Sequence, residues 1–138
     1  MISAITNQGT VRFHLFEGTM NAQRFITFLK RLIKDAKRKV FFIVDNLRVH
    51  HALMVKDWVK ENEDRIELFC LPPYSPELNP DEYLIGALKQ AVHSRPLVRS
   101  ARKLKARVLS YMCSLQQLPD KVSGFFKHKN IQYAGSAI

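Results

Sequence analysis

Acid is what this chain is short of. Its 138 residues hold 12 Asp plus Glu against 22 Lys plus Arg, a formal net charge of +10 with a sequence pI near 9.9. Such an excess suits a polyanionic partner, because each phosphate contact releases condensed counterions. A merely soluble basic protein is the other reading of charge alone. Cysteine is scarce as well: Cys70 and Cys113 are the only two. They make no disulfide framework, and no CxxC pair suggests zinc. Each lies in an apolar run, which predicts a buried reduced thiol. No stretch approaches ~20 apolar residues and no basic-then-apolar leader opens the chain, so a soluble intracellular protein with no membrane association is expected. Low-complexity segments, internal repeats and long linkers are also missing.

What is present is ordinary globular material, 46 % hydrophobic and 25 % charged, at the usual length of one domain. "MISAIT", the turn signal "NQG" and the alternating "TVRFHLFEG" predict a β-hairpin. From Asn21 the period changes: Phe25, Phe28, Leu29, Leu32, Ile33 and Ala36 fall at helical spacing, with Lys30, Arg31 and Lys34 outside. "KVFFIVDN" is a continuous apolar run, the pattern of a central strand covered on both faces. Residues 51 to 62 carry Ala52, Val55, Trp58 and Val59 on one side of a second helix. "RIELFCL" is another strand, ended by Pro72 and Pro73. Asp81 to His93 reads as a third helix. A fourth runs from about Ser100, a plausible N-cap, to Leu115, with Leu104, Val108, Tyr111, Met112 and Leu115 in register. Pro119 and Asp120 start a last short helix ending near Phe126. The order β, β, α, β, α, β, α, α is a mixed α/β arrangement with helices packed on a sheet.

Two carboxylate positions stand just past strand-like runs, where α/β folds usually place chemistry. Asp45 ends the "FFIV" strand. Local sequence offers it two roles, a helix cap or a free ligand, and Asn46 could cap in its place. Glu82 follows Pro80 in a first helical turn, where the helix dipole favours a carboxylate by ~0.3–1 kcal/mol. At ~100° per residue, Glu82, Gly86 and Lys89 share one face, and Gly86 leaves room beside the carboxylate. Asp81 lies nearer the apolar stripe. The wheel does not choose between the two acids.

The segments "IVDNLRVHHA" and "LPPYSPELNPDEYLIGALK" resemble the catalytic core of DDE transposases, specifically bacterial insertion-sequence transposases of the mariner superfamily. In that family an Asp-Asn pair ends a strand with a His a few residues on, matched here by Asp45, Asn46 and His50. A "PxYSPxLNPxE" segment carries the last catalytic carboxylate, matched by Glu82. "GTMNAQRFITFL" extends the likeness, which spans nearly the whole chain. The resemblance implies an RNase H-like mixed sheet with flanking helices. It also implies catalytic, metal-binding roles for Asp45 and Glu82, holding two Mg²⁺ or Mn²⁺ ions ~3.5–4 Å apart for phosphoryl chemistry. Asn46, His50, Asn79 and Asp81 would support that site, with Asn79 and the prolines shaping the loop that presents Glu82. The implied partner is DNA, both transposon ends and target, and the implied location is the bacterial cytoplasm, beside the nucleoid.

Against the family pattern one part has no counterpart. The family uses three carboxylates, and the first sits on a strand that precedes the hairpin. No acidic residue occurs before Glu17, which lies at the far end of the hairpin. The expectation is therefore a single partial catalytic domain over residues 1–138, lacking the first strand and the N-terminal DNA-binding domain. Its hairpin and parallel pair would present unpaired edges, inviting an upstream transposase half or a second copy to fill them. Whether the isolated chain is an enzyme stays open: a catalytically inactive DNA-binding or regulatory fragment is the alternative. Ile85 and Ala87 stand where the family often has polar residues. From Arg95 onward nine Lys or Arg face one acid, Asp120. Arg102, Lys103, Lys105 and Arg107 crowd the early turns of a helix, where positive charge opposes the dipole, so a DNA phosphate is the expected counter-charge. Lys89 is grouped with them as a DNA contact.

Overall fold

The structure, a computed structural model, describes residues 1–94 and 100–135. Arg95 and Arg99 of the basic tail lie outside the described residues. The chain falls into two compact units, Phe16–Pro76 and the pair of segments Met1–Leu15 with Glu77–Ile138. Among the described residues, four strands make two separate two-stranded sheets, one in each unit.

In the discontinuous unit, β1 (Ile2–Ile5) and β2 (Val11–His14) pair antiparallel with Ile2 opposite His14 and Ile5 opposite Val11. The turn between them needs Gly9. Its φ is +96°, and a Cβ there would stand 2.3 Å from the Pro119 carbonyl oxygen. The alternation seen in "VRFH" does what it predicts, burying Val11 and exposing Arg12.

Three helices cover the hairpin's apolar side. These are α3 (Asp81–His93), α4 (Ala101–Gln116) and α5 (Pro119–Gly124), numbered in chain order after the helices of the other unit. Leu84, Leu88, Met112, Leu115, Val122 and Phe125 join Val11 in one buried cluster. Each such side chain contributes about 1.5–3 kcal/mol of burial before entropy is set against it. Ser100 caps α4, accepting from the Lys103 amide at 3.1 Å. Gln116 donates to the Val11 carbonyl at 3.0 Å, tying helix to hairpin. Two short 3₁₀ turns and α6 (Gln132–Gly135) close the unit, with His128 stacked on Tyr83 at 3.7 Å between ring centroids.

The continuous unit is a strand–helix–strand motif preceded by a helix. The first helix, α1 (Ala22–Asp35), starts at Asn21, whose side chain accepts from the Arg24 amide at 2.8 Å. Its Phe25, Phe28 and Leu29 are buried as the helical spacing predicts. β3 (Val40–Val44) and β4 (Ile66–Cys70) pair in parallel, Val40 opposite Ile66 and Val44 opposite Cys70. They are joined through a 3₁₀ turn (Arg48–His51) and α2 (Leu53–Glu61). Val55 of α2 and Ile66 of β4 are fully buried.

Three expectations are corrected here. β3 is not covered on both faces: Phe41 is 60 % and Phe69 of β4 45 % exposed, their rings 6.3 Å apart on the open side of the sheet. The apolar run records what the strand could bury, and within its unit the helices reach only one face. Neither cysteine is buried. Cys113 follows the buried Met112 by one residue, about 100° round the helix, and so leaves the buried stripe. Leu104, expected in that stripe, is also exposed.

Candidate active-site carboxylates

Asp45 is the first residue after β3, so the strand delivers it to the C-terminal end of the parallel pair. Its backbone is fixed from two sides. The carbonyl oxygen accepts from the Leu47 amide at 2.9 Å and from Nδ1–H of His50 at 2.6 Å. A carbonyl can only accept, so His50 carries its proton on Nδ1. The imidazole is buried and lies 4.6 Å from the Phe25 ring, centroid to centroid. Burial pushes its pKa below the ordinary histidine value; the bond to the Asp45 carbonyl and the Asp45 charge oppose that shift, and the neighbouring His51 adds to it. His50 is thus a neutral histidine that fixes the backbone of Asp45.

The cap reading of this segment is not what forms. The 3₁₀ turn has Leu47 at its N-cap and α2 has Ala52, neither with a side-chain cap bond. Asn46 instead bonds Nε2 of His51 through its side-chain oxygen. Neither Asp45 nor Asn46 caps a helix, because the chain turns through four 3₁₀ residues before α2 begins.

Glu82 sits in the first turn of α3, and the loop before it is tied to that turn. The Asn79 side chain accepts from the Asp81 amide at 3.0 Å, and the Asn79 carbonyl accepts from the Glu82 amide at 3.1 Å. Asp81 and Glu82, which sequence could not separate, differ in surroundings. The Ser3 hydroxyl lies 2.8 Å from each carboxylate oxygen of Asp81, binding it to β1. Glu82 is exposed, as are Gly86 and Lys89 on the same face, and a Cβ at Gly86 would meet nothing within 4 Å. The face beside Glu82 is open to a ligand.

On α4, Arg102, Lys103 and Lys105 are exposed and Arg107 is half-buried. With Lys89 they belong to the same unit as Glu82.

Among the described residues no group of three or more His, Cys, Asp or Glu forms a metal cluster. The donor chemistry of Asp45 and Glu82 nonetheless suits a hard divalent cation. Mg²⁺ is commonly held by one or two carboxylates together with substrate phosphates, not by an all-protein cage. One feature escaped sequence reading: the Nδ1 contact of His50 to Asp45. Its only trace was the spacing of five residues.

In fold the chain is similar to the catalytic domain of Mos1 mariner transposase, at 19 % identity over 96 % of this chain and 72 % of that one, with a TM-score of 0.61. It is similar to the transposase of the Mos1 strand transfer complex, at 22 % identity, 95 % and 41 % coverage and a TM-score of 0.61. The Mos1 mariner paired end complex with Mn gives 20 % identity, 95 % and 42 % coverage, and a TM-score of 0.62. The chain therefore spans about two fifths of the longer Mos1 chains. No curated protein matches it in sequence. The sequence profile of the DDE superfamily endonucleases matches residues 1–105, a stretch that contains β1 through the start of α4 and both Asp45 and Glu82. The chain belongs to the DDE superfamily endonucleases, and its fold is that of a mariner transposase catalytic domain.

Proposed function

We propose that this chain supplies two carboxylates, Asp45 and Glu82, to a divalent-metal site that cleaves DNA strands and joins them to target DNA. The observation that carries this reading is the backbone of Asp45, held at the end of a parallel strand by an amide and a buried imidazole. A backbone fixed in this way sets where the Asp45 carboxylate starts from, and positioning of that kind is what a reacting site requires. Family membership across both carboxylates supports it.

Asp45 and Glu82 would hold Mg²⁺ or Mn²⁺. Such ions, when bound, supply Lewis-acid stabilisation of the attacking and leaving oxygens of a phosphodiester. The remaining work falls to the chain itself. His50 and Asn46 fix the turn after β3, and Asn79 sets the start of α3. Asp81 is occupied by Ser3 and serves the fold around Glu82. Lys89, Arg102, Lys103, Lys105 and Arg107 would contact DNA phosphates, positioning the strand without reading its sequence. The whole of residues 1–138 would act as part of one catalytic domain. The sheet edges left without a strand partner among the described residues would be filled by an upstream transposase segment or a second copy.

The test is Mn²⁺-dependent cleavage of the element's terminal-repeat DNA by the chain alone and with the upstream segment added in trans. Alongside, Mn²⁺ binding is followed by calorimetry. We expect cleavage on complementation, abolished in Asp45→Asn and Glu82→Gln, with weaker metal binding in each. Wild-type cleavage by either variant would refute the assignment. DNA binding without cleavage in any combination would identify an inactive regulatory fragment.

A further inference from the structure

Between β4 and α3 the sequence Pro72-Pro73-Tyr74-Ser75-Pro76 presents a ring that does nothing for the fold. Tyr74 is wholly exposed, and among the described residues it is the one non-glycine with a positive φ, at 56°. Left-handed backbone costs a side-chain-bearing residue roughly 1–2 kcal/mol. That cost is set here against no burial at all. The loop is braced to hold it: three prolines restrict the backbone, and the Ser75 hydroxyl donates to the Pro73 carbonyl at 3.2 Å. Strain sustained by an exposed residue in a braced loop points to function.

The register places the start of this loop. Val44 lies opposite Cys70, and the Leu71 amide donates to the Val44 carbonyl at 2.8 Å. The chain therefore leaves β4 beside the position where Asp45 leaves β3, within the same unit. Tyr74 follows Leu71 by three residues, a reach of at most ~11 Å.

We propose that Tyr74 is a stacking platform for an unpaired base of the DNA strand whose phosphodiester is processed at Asp45. This rests on the functional reading above and adds to it the state of the substrate: a strand locally unpaired beside the reacting bond. A single projecting ring suits a base better than a protein surface does. Stacking needs one free aromatic face and tolerates any base, and the net charge of +10 draws a polyanion toward it.

The experiment uses the full chain with short duplexes carrying 2-aminopurine in either a frayed or a fully paired end. Parent, Tyr74→Phe and Tyr74→Ala chains are compared for affinity and for quenching of the fluorescent base. Tyr74→Phe is expected to match the parent. Tyr74→Ala is expected to bind the frayed duplex roughly 5- to 150-fold more weakly and to lose the quenching. Its thermal midpoint should match that of the parent, since alanine keeps the Cβ that makes left-handed backbone costly and the lost ring was not buried. Equal binding of the frayed duplex by parent and Tyr74→Ala overturns the stacking role while leaving the carboxylate assignment standing. A parent that binds no DNA overturns both. A lowered midpoint in Tyr74→Ala, or capture of a protein partner that requires Tyr74 while DNA binding does not, assigns the ring to another purpose and overturns the proposal.

Discussion

Replacing His50 by Ala tests the most specific contact beneath Asp45. Three losses combine. The hydrogen bond to the Asp45 carbonyl is worth ~1 kcal/mol net; the Leu47 amide still bonds that oxygen, so no orphaned acceptor adds to the cost. Contact of the ring with Phe25 contributes about 0.5–1.5 kcal/mol. The space left by the buried imidazole adds about 1 kcal/mol more. The sum is roughly 2.5–3.5 kcal/mol, a large share of a typical domain's ~5–15 kcal/mol. With a urea slope of about 2 kcal/mol/M, the midpoint at pH 7.5 should fall by about 1–2 M.

The pH arm of the same assay has a definite sign. Burial lowers the folded-state pKa of His50 below its unfolded value near ~6.5, so as pH falls the unfolded chain takes up the proton first. Stability from neutral His50 is complete above about pH 6.5 and declines below it, until the pH reaches the folded-state pKa. Asp45 and His51 are the charged neighbours, acting in opposite directions. Urea melts between pH 7.5 and 5 should therefore show a steeper decline for the parent than for His50→Ala. A loss under ~0.5 kcal/mol at pH 7.5 would refute the packing argument. An identical decline in both chains would refute the titration argument.

Two further substitutions probe glycine by context. Gly9→Ala should lower stability by roughly 2–4 kcal/mol in thermal melts, since the new Cβ meets the Pro119 carbonyl in a left-handed turn. Gly86→Ala, in a helix with open space around it, should instead raise stability by up to ~1 kcal/mol. Converting Arg102, Lys103, Lys105 and Arg107 to Gln should flatten the salt dependence of DNA binding by up to ~3–4 units of log–log slope; an unchanged slope would exclude the patch.

What sequence reveals depends on whether a residue's role is local. The bounds of α3, Asp81 to His93, were legible because a proline-rich approach, two acids in the first turn and an apolar stripe all agree. Ser100 was legible as a cap for the same reason. Long-range roles were not. Only the fold brings Ser3 to Asp81, 78 positions away, and so distinguishes Asp81 from Glu82. Local sequence left Asp45 between cap and ligand because the 3₁₀ turn that separates it from α2 has no strong sequence signal. An apolar neighbourhood did not bury Cys113, because one step along a helix from Met112 is enough to leave the buried side, nor Cys70, the last residue of β4.

The order of segments along the chain bears on how the protein is made. The unit Phe16–Pro76 is continuous and can assemble as soon as it leaves the ribosome. The other unit cannot. Its hairpin is synthesised first, yet Val11 is buried against Met112, Leu115, Val122 and Phe125, about a hundred residues later. At ~5–20 residues per second, β1 and β2 wait roughly 5–20 s for the helices that cover them. During that interval an isolated two-stranded hairpin has little stability of its own. Completion of this unit is thus a late event in biosynthesis, and the helix that presents Glu82 gains its full packing only once the C-terminal third has been translated.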